Sequence, residues 1–216
     1  MKQTNQLSEE THPDWYQDIS EMKYLILGSY PPHADKRDYP FYYPNSQNSF
    51  WELLSKIDGK ELKYFKTEPE KAVLERVALM QKLKVGVQNL GYKIERKGKS
   101  AKDTDIKIIE FHDIVGILEK HAELETIILP GYSAPNSTFR GFLSYLKNLK
   151  TKGASIEAPF DLKPSPGLKF EIIINRKKYK CIVAWSTSTA TIGISFNDKL
   201  EQLGKVINRT SNDRER

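Results

Sequence analysis

In "FYYPNSQNSFWELL" (41–54), Tyr42 and Tyr43 stand ahead of Asn45 and Asn48, and Phe50, Trp51, Leu53 and Leu54 follow. An aromatic face stacks on any flat base, and a carboxamide both donates and accepts hydrogen bonds. Together they make base-recognition chemistry. The same spacing also suits a structural role, with Asn48 capping a helix that starts at Phe50 and with Phe50, Trp51 and Leu54 anchored in the core. Upstream, "LGSYPP" (27–32) places Gly28, Ser29 and Tyr30 just past an apolar run. Gly28 allows close backbone approach there, and Pro31–Pro32 stiffens the turn. The loop has neither the G-x-x-x-x-G-K of a phosphate cradle nor the G-x-G-x-x-G of a dinucleotide site, which removes the usual support for an ATPase or an NAD enzyme.

These residues need a frame. Apolar, β-branched runs at 23–29, 84–90, 126–131 and 180–186 each end in turn-forming residues. They predict strands buried on both faces, as in a parallel sheet. Helical periodicity lies between or after them in "SFWELLSKI", "PEKAVLERVALMQKL", "FHDIVGILEKH", "STFRGFLSYLKNL" and "NDKLEQLGKVI". "LKFEIIIN" (168–175) predicts a further strand, joined antiparallel to the last by the turn "NRKK". The alternation predicts an α/β layered sheet whose site forms at the carboxyl ends of its strands, which is where "GSYPP" falls.

Composition sets the outer bounds. The 216 residues fit one domain, with a flexible leader expected over 1–20 and a flexible tail over 208–216. A single cysteine, Cys181, excludes a disulfide framework or a Cys-ligated cluster within the chain. No stretch approaches a membrane span, the first fifteen residues have no apolar signal core, and the expected setting is the cytoplasm. Histidine spacing gives no metal pattern, so no metal and no cofactor are expected; His33 is the one histidine placed for a phosphate or base contact. A net charge of +6 and a pI near 9.1 favour an anionic partner. Positive charge gathers at 93–107, 147–152 and 176–180, where three clusters suggest a phosphate-facing surface.

"LGSYPP...YYPNSQNSFW" resembles the first motif region of the uracil-DNA glycosylase superfamily, and within it the hypoxanthine-DNA glycosylase branch, with its Y-Y-x-H-P-R-N-x-F-W. "VGVQNLGYK", "TIILPG" and "AWSTSTATIG" are similar to its later segments, so the resemblance spans about Tyr24 to Val206. It implies a three-layer α/β/α sandwich around a four-stranded, mainly parallel sheet, with the extra antiparallel strand added at one side. The implied activity is hydrolysis of the N-glycosidic bond of a deaminated base (hypoxanthine, uracil or xanthine) flipped out of DNA, by a monomer needing no cofactor. In that picture Asn48 orients the attacking water, Tyr43 stacks on the base, and Asn45 and the backbone N–H groups of Gly28, Ser29 and Tyr30 meet its polar edge. Ser186, Thr187, Ser188 and Thr189 grip the flanking phosphates. The chain departs from the pattern: "GSYPP" has no carboxylate or amide, and Asn45 and Ser46 replace a histidine and a proline. Trp185 and Thr189 replace two further prolines. These departures also allow a catalytically inactive nucleic-acid-binding member of the same fold.

Overall fold

The computed structural model describes residues 7–100, 102–188, 191 and 193–207. In chain order the elements are β1 (Leu7–Thr11), β2 (Tyr24–Gly28), α1 (Phe50–Asp58), α2 (Pro69–Leu83), β3 (Val85–Asn89), β4 (Gly91–Lys97) and β5 (Ile106–Phe111). Then follow α3 (Ile114–Lys120), β6 (Thr126–Pro130), α4 (Thr138–Thr151), β7 (Ile156–Glu157), β8 (Lys169–Ile174), β9 (Lys177–Ala184) and α5 (Phe196–Ile207). The main sheet runs β3-β2-β6-β9-β8-β7. Its first four strands are parallel, β8 adds antiparallel to β9, and β7 pairs antiparallel with β8 at the outer edge. All of β2 and β3 is buried, β2 as a continuous apolar strand and β3 with the polar side chains of Gln88 and Asn89 at its carboxyl end. The β8–β9 turn carries positive φ at Asn175 (47°) and Arg176 (71°), the two-residue geometry whose twist matches a hairpin.

A second sheet, β1-β4-β5, is absent from the sequence expectation. It rises from the carboxyl end of β3, folds over the loop that follows β2, and takes β1 along its free edge. Arg96 of β4, fully buried, holds it together. Its guanidinium bonds both carboxylate oxygens of Glu10 (2.6 and 3.1 Å) and the carbonyls of Pro31 (2.8 Å) and Ser100 (2.5 Å). A buried cation survives only when its donors are met this fully. The flexible leader expected over 1–20 is therefore corrected for residues 7–20. Trp15, Ile19 and the adjoining Met22 sink into the main core, and β4 supplies a strand edge for β1. Residues 1–6 and the expected tail lie outside the described residues. No described helix is long and apolar enough to cross a membrane.

Candidate functional site

Parallel strands put the carboxyl ends of β2, β3, β6 and β9 at one edge, and the loops after them converge there. Gly28 closes β2 in register with Asn89, the last residue of β3. A methyl group built on Gly28 would lie 2.1 Å from Asn89 Oδ1 and 3.2 Å from the Tyr43 hydroxyl. Glycine is therefore required by space, since two polar side chains converge on its Cα. Tyr43 is held in the left-handed region at φ 46°, a costly conformation for a bulky residue and one that the surrounding structure must enforce. The Tyr39 hydroxyl donates to its carbonyl at 3.0 Å, and Phe50 stacks on its ring at 4.0 Å. One face of Tyr43 is thus already occupied by protein.

Asn48 joins the first loop to the last. Its backbone bridges Ser188, and its Oδ1 accepts from the Phe50 N–H at 3.0 Å; the N-cap of α1 is Ser49, so Asn48 meets the first helical N–H from one residue further out than its spacing suggests. Beside it, the N–H and Oγ of Ser49 both donate to the Thr187 carbonyl, at 3.0 and 2.9 Å. Phe50 and Trp51 are core anchors, with Trp51 Nε1 donating to the Tyr42 carbonyl at 2.8 Å. Asn45 faces the α1 side. Its Nδ2 donates to the Lys36 carbonyl (3.3 Å), and it shares with Asn48 a hollow of about 660 Å³ on the α1 side, walled by Tyr39, Trp51 and Phe65.

Tyr30 is expected to contribute its backbone N–H, and its side chain has a separate, structural place. Its side chain is buried with Ile94 and Ile106 under the second sheet, with Arg96 over its ring at 5.5 Å. Burial, with Glu10 nearby, pushes its phenol up to about 12. Tyr42 is likewise buried, its hydroxyl donating to Gln88 Oε1 at 3.0 Å, and burial raises its phenol far above the ordinary range. His33 accepts from the Asp35 N–H (3.4 Å) at the start of a 3₁₀ turn.

Of the hydroxyl cluster, Ser186 and Ser188 line a polar hollow of about 380 Å³ with Tyr132, Ser133 and Thr191, between the loops after β6 and β9. Thr187 is buried, and its contribution is the carbonyl that receives Ser49. Thr189 lies outside the described residues. Lys199 of α5, buried beneath this loop, donates to the Ser188 carbonyl at 2.8 Å, and burial lowers its ammonium. The turn is thus held from below and by its own hydroxyls: Ser186 Oγ accepts from the Ser188 N–H at 3.3 Å, and Thr191 Oγ1 donates to the Ser188 carbonyl at 3.1 Å.

Sequence reasoning missed Asn89 and His12. Asn89 follows Gln88 at the end of a strand that begins apolar, and that polar ending was the available signal. His12 gave none: it reaches Asn89 from 77 positions away, its Nε2 lying 2.9 Å from Asn89 Nδ2.

No protein-family model matches this chain, and no curated protein does. Among solved structures, the chain is similar to the solution structure of a candidate uracil DNA glycosylase from Methanosarcina acetivorans. The TM-score is 0.53 at 20% identity, over 90% of this chain and 98% of that one. At that identity the likeness establishes a shared α/β fold over nearly the whole chain.

Proposed function

We propose that this chain is a monofunctional DNA glycosylase that releases a deaminated base from DNA. The observation that carries the reading is the convergence of Tyr43, Asn89 and Gly28 at the carboxyl ends of β2 and β3, beside the Asn48–Ser188 bridge. It gives one edge an aromatic ring, a strand-end amide and a hollow lined by serine and threonine hydroxyls. The fold shared with a candidate uracil DNA glycosylase supports it.

Hypoxanthine, uracil and xanthine are lactams: each sets a carbonyl beside a ring N–H. In the reaction the bond between C1′ and the base nitrogen breaks, and the base departs with the electron pair spread over its carbonyls. Water adds its oxygen to C1′, and its proton ends on the base. The sugar passes through an oxocarbenium-like state, so fixed dipoles and a positioned water do most of what is needed. Asn48 is the water-positioning residue in this reading. Its Oδ1 receives Phe50 N–H, and its Nδ2 is the group offered to the reaction. Ser186 and Ser188 hold phosphates beside the flipped nucleotide, and flipping costs least where the pair is already damaged. The missing carboxylate or amide in "GSYPP" favours hypoxanthine over uracil.

Nucleic-acid binding without catalysis is the second reading, and the engagement of Asn48 Oδ1 by the Phe50 N–H favours it. A strand-scission assay on oligonucleotides bearing uracil, hypoxanthine or xanthine decides between them. Release of at least one, with normal adenine and cytosine left in place, is the expected result; binding without any release overturns it.

A further inference from the structure

We propose that His12 is a positioning residue: it locks the orientation of the Asn89 carboxamide and thereby fixes which base edge the site can read. The choice of substrate rests on the glycosylase reading, whereas the lock rests on contacts within this chain.

A carboxamide has nearly the same shape on its two sides, and a half-turn about its last bond exchanges acceptor for donor. A lactam edge offers a carbonyl and then an N–H; the amidine edge of adenine or cytosine offers an amine and then a bare nitrogen. One orientation of an asparagine pairs with the first edge, and the flipped orientation pairs with the second. An unrestrained asparagine therefore cannot separate a deaminated base from its parent. Discrimination needs a second group that forbids the half-turn.

His12 supplies that group. Its Nδ1 lies 2.5 Å from the Pro13 carbonyl oxygen, which can only accept, so Nδ1 carries the proton and the Nε2 of the neutral ring is an acceptor. Nε2 is 2.9 Å from Asn89 Nδ2. The amide must then present its nitrogen to His12 and its oxygen toward Gly28, the arrangement in which Oδ1 faces the glycine Cα. The second Nδ2 hydrogen stays beside that oxygen, and the two together complement a lactam.

The imidazole cannot turn to evade the constraint. It is buried, its backbone N–H donates to the Tyr92 carbonyl (2.7 Å), and its ring meets Trp15, Tyr30, Tyr42 and His112 at centroid distances of 5.3, 5.6, 5.9 and 4.8 Å. The titratable and charged groups around it are His112, Tyr30, Tyr42 and Arg37, with Asp14 acting on His112. Burial, opposed by the Pro13 carbonyl and aided by His112 and Arg37, lowers its pKa to about 4 and keeps it neutral at physiological pH. A protonated ring would put a donor where the amide already donates.

The test uses the full chain. A scalar coupling across the N–H···N bond, between the Asn89 side-chain nitrogen and His12 Nε2 in uniformly ¹⁵N-labelled protein, reports the lock directly and needs no variant. Its presence is expected; its absence overturns the lock. Single-turnover release is then measured on oligonucleotide pairs carrying hypoxanthine or adenine, and uracil or cytosine, at one position. His12→Phe keeps the ring volume without the acceptor, and the lactam-to-amidine rate ratio is expected to fall about 10²-fold. His12→Gln, which can turn an acceptor toward Asn89, is expected to recover part of it. An unchanged ratio in a folded His12→Phe protein overturns the specificity role. Wild-type protein that releases no lactam base overturns the glycosylase reading instead, and the coupling still decides the lock.

Discussion

Asn48 combines two tasks on different atoms, which makes them separable. Its Oδ1 accepts from the first N–H of α1, just ahead of the Ser49 N-cap, and the proposed catalytic task falls to the rest of the amide. Asn48→Asp keeps an oxygen for the cap, whereas Asn48→Ala removes cap and amide together. The alanine variant is expected to lose about 1 kcal/mol of stability, a fall of roughly 2–4 °C in Tm, together with about 10²- to 10³-fold in single-turnover base release. The aspartate variant is expected to melt like the wild type while its release rate shifts. Calorimetry beside the kinetic assay checks both, and a wild-type rate in Asn48→Ala would leave only the cap. His12 gives a pH signature. Burial holds its pKa near 4 against 6.5 for an unhindered histidine. Between those values the unfolded chain binds a proton that the folded chain does not, so stability present above pH 6.5 is lost as the pH falls toward 4, by about 3 kcal/mol. Denaturant unfolding from pH 7 to 4 should show this loss, and His12→Phe should show less of it. At this scale Gly28, Tyr43 and Asn48 were legible because local spacing marks a strand end and a helix start. Asn89 and His12 were not, because a polar residue closing a strand is ambiguous until its distant partner is seen.

The elements were easier to read, since burial on one or two faces leaves a period in the sequence. The four parallel strands, β8 and the five helices fall close to the apolar runs that predicted them, and α2 spans Pro69–Leu83. The β4–β5 hairpin escaped because its exposed face reads as a charge run, "KIERKGKSAKDTDIK", in which, among the described residues, only Ile94, Arg96 and Ile106 are buried. Strand direction now sorts the three basic clusters. Arg176–Lys180 opens β9, and Lys147–Lys152 ends α4, a helix about 21 Å long that starts beside Gly131. Both therefore lie toward the sheet edge opposite the carboxyl strand ends. Lys177 there donates to the carbonyls of His121 and Ala122, and Lys178 pairs with Glu171. The hairpin rises on the site side, with Lys97, Lys99 and Lys102 exposed around its tip. DNA binding is expected to give a slope of log K against log salt of about −3 to −5. Charge reversal at Lys97, Lys99 and Lys102 should flatten that slope by about 1 for each phosphate no longer neutralised, and reversal at Lys177 and Lys178 should leave it unchanged. Fluorescence anisotropy across a salt series distinguishes the two.

At the scale of the whole molecule, the site is a product of topology. The strand order brings the loop after β2 beside the loop after β9, and Ser49 reaches Thr187 across 138 positions of chain. The parallel sheet and the strand-end location were legible from the alternation of apolar runs and helices. The second sheet was not, because β1 acquires its partner only once β4 and Arg96 are in place. The interior position of β9, between β6 and β8, sets an order of events during synthesis. Until the ribosome has delivered residues 177–184, β6 has an open apolar edge and neither β8 nor β7 has a route into the sheet. Such an edge is a template for wrong pairings. A chain ended at residue 166 is therefore expected to collapse without forming the sheet, to aggregate, and to show no slowly exchanging amides in β2, whereas the full chain protects them. Hydrogen exchange on both decides it. The closing strand acts as a keystone, so nascent protein is committed to its native arrangement only once β9 has been made.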